Sequence, residues 1–463
     1  MTNRQTSRLL IGLLSLFIIA FLACPPPQPP SDDDVEVVVD TTFHGMWHFY
    51  HAYLADCANE RYVDGESNAL SVLTDTAKNR ITRAIQDSAM TNTFGTEELV
   101  WGPVLAVDKV DSDRSDEYVS ENLLYCLRLV DDGGVTYSVG IAGTNAVSSY
   151  DWLDEDIAIQ DTVAWSAGGG ISQASNTGLN KLLGLRDNGV GIDSFLRNAV
   201  RTSADPIQVA VAGHSLGGAL TQVLSSYLQQ ELDAVKAGTL VTAWVYAGPT
   251  AGTATFADAL VNQLAGYFAY NNTRDVVPHA WTTDTLKQLC SIYTSLSICD
   301  TAIQNSLLVN GLVRFLIGRS ENVPYTAPPG KITYFTGEPL LMSDTMGCGV
   351  FYSELSEAWT YSDLGDVYSN LNTLSAQCQG PTTISEEDFY QFAYFLAELG
   401  EQHVTAYYDY FLTGSPVYDR LSLYVQGESG DYIKWDGAIA LGNILVEANS
   451  YLSANNITTC NCE

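Results

Sequence analysis

Ile207-Gln208-Val209-Ala210-Val211-Ala212-Gly213-His214-Ser215-Leu216-Gly217-Gly218 decides the reading of this chain. The run from Ile207 to Ala212 is nearly continuous in apolar residues and bounded by glycine, the pattern of a strand buried on both faces. Gly213-x-Ser215-x-Gly217 follows at once, and a helix reads from Ala219 to Glu231. A serine between strand and helix needs a tight turn in which side chains at the flanking positions would strike neighbouring backbone. Glycine at both positions removes that collision. The turn exposes the Ser215 oxygen at the carboxyl edge of a sheet. Beneath it, the helix N-terminus and the Leu216 N–H favour developing negative charge.

Outward from this motif, strand and helix alternate. Helices read over Ser172–Leu185 and Gly191–Arg201 before it. After it come a strand Val241–Tyr246, a helix Phe256–Leu264 and a strand Tyr267–Asn271. Such alternation predicts an α/β fold with a mostly parallel sheet flanked by helices. Upstream, residues 44–89 read as helical and 99–107 as extended. Glu121–Val130 and Val135–Ile141 read as a hairpin across Asp131-Asp132-Gly133-Gly134. Downstream, 281–330 reads as a largely helical insert, 331–342 as strand and 343–382 as irregular. A capped helix reads from Ser385 to Leu399, with Asp388 in the capping position. No internal repeat is visible.

The chain has 463 residues, with 54 acidic against 21 basic side chains and a formal net charge of −33. Phosphate binding needs clustered Lys and Arg, so nucleic acid is excluded as a partner, and docking on anionic lipid by charge is excluded with it. Hydrophobic residues at 46% suffice for a large packed core. Arg4 and Arg8 precede an apolar run, Leu9–Ala23, too short to span a membrane comfortably and suited to an export signal. Ala23-Cys24 followed by Pro25-Pro26-Pro27 resembles a bacterial lipoprotein signal, although Phe21 stands where an aliphatic residue is usual. The expected organisation is a signal peptide 1–23, a Pro- and Asp-rich tether 24–40 and a body 41–463 carrying the insert 281–330. The expected location is the bacterial cell envelope with a lipid on Cys24, or secretion if that site is unused. Eight further cysteines remain for disulfides, with Cys290–Cys299 and Cys348–Cys378 the short-loop expectations. The absence of Cys-x-x-Cys pairs speaks against a zinc ribbon, and Asp111–Glu117 lacks the Gly and terminal Glu of an EF-hand, so no metal site is read.

Four segments together resemble the class 3 lipase family, the fungal triacylglycerol lipase type within the α/β-hydrolases. They are Val209–Gly218; Val139–Thr144 with Asp151-Trp152-Leu153; Tyr246-Ala247-Gly248-Pro249 with Phe256-Ala257; and Asn272–Pro278. Ala142 stands where the family usually has Arg, and Trp165 near where a His is frequent. The resemblance implies a Ser, Asp or Glu, then His order along the chain. That leaves His279 and His403 as bases for Ser215, since His44, His48 and His51 precede it and His214 adjoins it, at a position the family uses for packing. His403, followed by Tyr407 and Tyr408, matches the family's base segment; His279 lies only four residues beyond Asp275. Asp275 matches the catalytic acid, with Asp258 and the surface acids as the plain alternatives. The oxyanion hole would pair the N–H groups of Thr144 and Leu216. Residues 145–160 would form a lid with Tyr150, Trp152, Leu153 and Ile157 on its apolar side.

The implied activity is hydrolysis of carboxylic esters through an acyl-enzyme, with acylglycerols as substrate and no cofactor. Phospholipase A1 or a small-ester or feruloyl-type esterase is the alternative, and an envelope binding protein on an inactive hydrolase fold is the non-enzymatic one. Acyl-chain preference and oligomeric state are not written in the sequence.

Overall fold

The computed structural model describes residues 42–58, 61–63, 66–109, 117–131, 134–143, 157–204, 207–340, 345–360, 365–418, 420 and 433–460. The first half runs α1 (Thr42–Ala58), β1 (Arg61–Val63), α2 (Glu66–Gln86), α3 (Ser88–Phe94), β2 (Glu97–Lys109), β3 (Glu117–Asp131) and β4 (Gly134–Ile141). A small hairpin follows, β5 (Thr162–Ala164) and β6 (Gly170–Ser172). Then come α4 (Gln173–Gly184), α5 (Ile192–Thr202), β7 (Ile207–His214), α6 (Leu216–Asp233), β8 (Leu240–Tyr246), α7 (Ala254–Gln263) and β9 (Gly266–Asn272). The remainder holds β10 (Ser297–Ile298), β11 (Thr301–Ala302), α8 (Leu307–Ser320), β12 (Lys331–Phe335), α9 (Thr345–Thr360), α10 (Gly365–Gln377), α11 (Glu386–Gly400), α12 (Ala406–Leu412) and α13 (Ile433–Ala454).

The main sheet has the order β2-β3-β4-β7-β8-β9-β12, with β1 beside the start of β3. β4, β7, β8, β9 and β12 are parallel because helical or long connections return the chain to the same edge. β2, β3 and β4 are antiparallel, and Asp131 pairs with Gly134 at the expected hairpin turn. Along β7 the side chains alternate between two cores. Ala210 and Ala212 join Tyr50, Leu54, Tyr246 and Tyr407 on the face covered by α1 and α12. Val209 and Val211 join Leu179, Leu196, Leu220 and Leu260 beneath α4 to α7. Burial on both faces explains why this strand reads as a continuous apolar run.

The insert does not stand apart. Leu286, Tyr293, Leu308 and Phe315 share one core with Phe351, Leu371, Phe392 and Leu445 of α9, α10, α11 and α13. Residues 343–382, expected to be irregular, contain α9 and α10. Glycine and Ser/Asn content obscured apolar positions at helical spacing, Phe351-Leu355-Ala358 and Val367-Leu371-Leu374, all buried. Tertiary packing of that stripe outweighs weak propensity. The strand expected over 331–342 ends at Phe335.

The disulfide expectations fail for a geometric reason. Cys299 and Asp300 form a two-residue turn between β10 and β11 with φ of 50° and 64°, and Cys299 bonds Cys348 in α9. Cys378 follows α10 and bonds Cys460, which follows α13; these two helices pack together. Cys57 and Cys290 are disulfide-bonded as well, while Cys126 is a free thiol buried in β3. The eight cysteines after Cys24 therefore do not all pair. Cys378–Cys460 closes a sequence separation of 82 residues. Replacing both cysteines by alanine should destabilise the helical layer by about 2–5 kcal/mol, seen as an earlier urea transition of near-ultraviolet circular dichroism. An unchanged transition would show that this bond constrains nothing.

Candidate active site

Ser215 sits between β7 and α6 with φ 58° and ψ −127°. A non-glycine residue in this region is strained and persists only where its surroundings fix it. Its N–H donates to the Tyr246 carbonyl of β8 at 2.9 Å, and its carbonyl accepts the Gly218 N–H at 2.8 Å. The flanking glycines meet a hard steric limit. A Cβ on Gly213 would lie 2.2 Å from the Gly217 carbonyl oxygen, and one on Gly217 would lie 2.6 Å from that of Ile141. Leu216 is the first residue of α6, where main-chain N–H groups lack intrahelical partners.

His403 reaches Ser215 from a π-helical turn, Glu401–Thr405, inserted between α11 and α12. One extra residue in the turn re-aims the side chains that follow, a device common at functional sites. His403 Nε2 lies 2.8 Å from Ser215 Oγ, and its Nδ1 lies 3.0 and 2.9 Å from the two carboxylate oxygens of Asp275. A carboxylate accepts only, so Nδ1 carries the hydrogen and the Nε2 lone pair faces the serine hydroxyl. His403 and Asp275 are fully buried. Burial lowers the His403 pKa and the neighbouring His214 ring lowers it further, against the Asp275 charge and hydrogen bond, which raise it; the net direction is down.

Asp275 is held by the residues around it. Its Oδ1 accepts the Val277 N–H at 3.0 Å, and its own N–H donates to the Asn272 carbonyl at 3.0 Å. Asn272, closing β9, donates through Nδ2 to the carbonyl and side-chain oxygens of Gln402, both at 2.8 Å. The Asn272 N–H donates to the Tyr407 hydroxyl at 2.8 Å. Asp275 and His403 are thus linked through Asn272, Gln402 and Tyr407 as well as directly. The sequence marks Tyr407 only as a nearby aromatic and Asn272 only as the start of the segment holding Asp275, and gives no sign of Gln402. An amide at the end of a strand and one beside a candidate base give no signal until the fold joins them.

The other candidates separate. His279 lies in the turn after Asp275, and its Nδ1 is buried with no hydrogen-bond partner among the described residues. Asp258 is exposed on α7. His48 and His51 are buried in α1, where His51 bridges Ser138 and Glu97 at 2.6 and 2.7 Å. Thr144, Tyr150, Trp152 and Leu153 lie outside the described residues. Ile157 is buried in the core of the helical layer beside Ile159, whose carbonyl accepts the Tyr325 hydroxyl at 2.6 Å. Trp165 donates to Ser226 Oγ at 2.9 Å and meets Phe256 edge-on. Ala142 is buried, its N–H held by the Leu123 carbonyl at 3.0 Å.

Residues 164–285, which hold Ser215 and Asp275, match the family model for Lipase (class 3). That segment is similar to the class 3 lipase family. The M37 lipase is similar in structure, with a TM-score of 0.51 and 23% identity over 79% of this chain and 99% of that one. The lipase from Rhizopus microsporus var. chinensis gives 0.34 and 17%, over 56% of this chain and 76% of its own. The triacylglycerol lipase from Penicillium expansum gives 0.32 and 17%, over 57% and 82%. A search of curated proteins finds no match. The mostly parallel sheet flanked by helices is of the α/β-hydrolase type, and the family match supports a carboxylic ester hydrolase.

In such a lipase site, a hydroxyl on the lone pair of a neutral imidazole is an activatable nucleophile, and the second nitrogen bound to a buried carboxylate keeps the imidazole in that tautomer. Only the neutral base accepts the serine proton. Because the His403 pKa is depressed, the base stays neutral to a lower pH than a free imidazole. The acid limb of kcat/KM should therefore fall below pH 6.5. A limb clearly above 6.5 would contradict the burial argument.

Proposed function

We propose that this chain is a lipase acting on acylglycerols, with Ser215 as nucleophile, His403 as base and Asp275 as the orienting acid. The observation that carries this reading is the continuous hydrogen-bonded array Ser215–His403–Asp275 at a strained strand-to-helix turn. In the forward step, Ser215 Oγ attacks the ester carbonyl while His403 Nε2 takes its proton. The tetrahedral oxyanion faces the Leu216 N–H, with the Thr144 N–H as its second donor. Collapse expels the alcohol, protonated by His403, and leaves the acyl group on Ser215. Water, deprotonated by His403, then releases the acid.

Purified protein assayed on p-nitrophenyl esters of increasing chain length tests this. Wild type should prefer long acyl chains, and Ser215→Ala and His403→Ala should each lower kcat by on the order of 10⁵–10⁶-fold. Short-chain preference would favour a small-ester esterase instead. Near-normal rates in His403→Ala would break the assignment of the base.

Attachment to the cell envelope through a lipid on Cys24 belongs to the same proposal. The apolar run after Arg4 and Arg8 supports export, as do the disulfides of the helical layer, which form and persist in oxidising compartments. Cys24→Ser should move the protein from the membrane fraction to the soluble one. Unchanged partitioning would remove the anchor from the account.

A further inference from the structure

A second histidine–carboxylate pair lies behind the array, and the hydrolase chemistry described above leaves it unused. Asp56 sits in the last turn of α1, and His214 directly precedes the nucleophile. Asp56 Oδ1 accepts the Gly143 N–H at 2.5 Å, and its Oδ2 lies 2.9 Å from His214 Nδ1. On the far side of the ring, His214 Nε2 lies 2.8 Å from the main-chain oxygen of His403. One buried imidazole therefore touches the carboxylate that holds the loop after β4 and the backbone of the base itself.

Hydrogen-bond chemistry fixes the protons. A carbonyl oxygen only accepts, so His214 Nε2 carries a hydrogen. An ionised carboxylate also only accepts, so a contact between Asp56 and Nδ1 needs a second hydrogen between them. The pair holds one proton more than a neutral imidazole beside a carboxylate. His403 differs, because its Nε2 faces a hydroxyl that donates. The groups facing His214 are the His403 ring at 4.6 Å between centroids, the Tyr407 ring at 5.6 Å and the Asp275 charge, while Tyr53 and Tyr125 face Asp56. Burial pushes the His214 pKa down. The Asp56 bond and charge, the His403 carbonyl and Asp275 push it up, and the net direction is up.

We propose that Asp56 and His214 are positioning residues, an imidazolium–carboxylate pair that locks the loop after β4 to the backbone of the base. The inference rests on Ser215, His403 and Asp275 being the catalytic residues. The pair ties Gly143, which precedes the expected oxyanion donor in sequence, to the backbone of the base. Asp56 of α1, Gly143 after β4 and His403 of the π turn are far apart in sequence, and His214 at the end of β7 links them. The positive ring beside His403 opposes protonation of the base, and the Asp56 charge favours it more weakly, so the pair as a whole opposes it.

Asp56→Asn separates shape from charge. Asparagine keeps an oxygen for Gly143 and offers an N–H to His214, which then accepts as a neutral ring. Asp56→Ala removes both contacts. In ¹⁵N–¹H spectra of the Ser215→Ala protein at pH 7.5, His214, assigned by its loss in His214→Gln, should show two ring N–H signals, and one after Asp56→Asn is added. In the active protein, Asp56→Asn should move the acid limb of kcat/KM to higher pH and lower kcat less than about 10-fold. Asp56→Ala should lower kcat about 100-fold with KM little changed, the scale of a misplaced catalytic group. If Asp56→Ala fails to fold, Asp56→Asn and the ring spectra decide. A singly protonated His214 in the Ser215→Ala protein, or equal losses in both variants with an unmoved limb, would overturn the proposal. Activity retained in Ser215→Ala would instead overturn the triad.

Discussion

The backbone of Ser215, held at a positive φ between β7 and α6, is the constraint on which the rest of the molecule depends. A strained turn of this kind costs on the order of 1–3 kcal/mol and needs surroundings that leave it no alternative. Those surroundings are the Tyr246 carbonyl from β8, the Gly218 N–H from α6 and the close approach of Gly217 to the backbone after β4. They come from the neighbouring strand β8, from the helix that follows β7 and from the chain at the end of β4. The sheet order that places β7 between β4 and β8 is therefore a condition for the nucleophile's geometry.

The proposed base has a different origin. Nothing in β7 to β9 supplies a histidine to Ser215. His403 arrives from a π-helical turn between α11 and α12, and its place is secured by Asn272, Gln402 and Tyr407. α11 also packs in the core of the helical layer, while α12 packs against α1 on the sheet. The layer that grows from the insert and continues through α13 thus frames one side of the site. Its disulfide Cys299–Cys348 fastens the insert's hairpin to α9.

Much of the sheet was legible in the sequence because its physics is local. The apolar run at Ile207–Ala212, the glycine pair around Ser215, the Asp-Asp-Gly-Gly hairpin turn and the Ser385–Asp388 cap each act within a few residues, and the corresponding elements form where expected. The elements that were misread depend on distant partners. α9 and α10 are weak helix formers stabilised by a shared core, and α13 joins it from the far end of the chain. The disulfides follow which helices pack together rather than loop length. Ser215, Asp275 and His403 were singled out by motif, order and resemblance, and the fold brings them within hydrogen-bond reach, but Asp56 and Gln402 carry no motif. His214, read as a packing residue, proves to be hydrogen-bonded at both ring nitrogens.

The central claim is that Ser215, activated by His403, performs the covalent step. Covalent labelling tests it without depending on the choice of ester. Incubation with a p-nitrophenyl alkylphosphonate, followed by peptide mass mapping, should place one phosphonyl group per chain on Ser215, with labelling strongly slowed in His403→Ala. A label on another residue, or equal labelling rates with and without His403, would contradict the account.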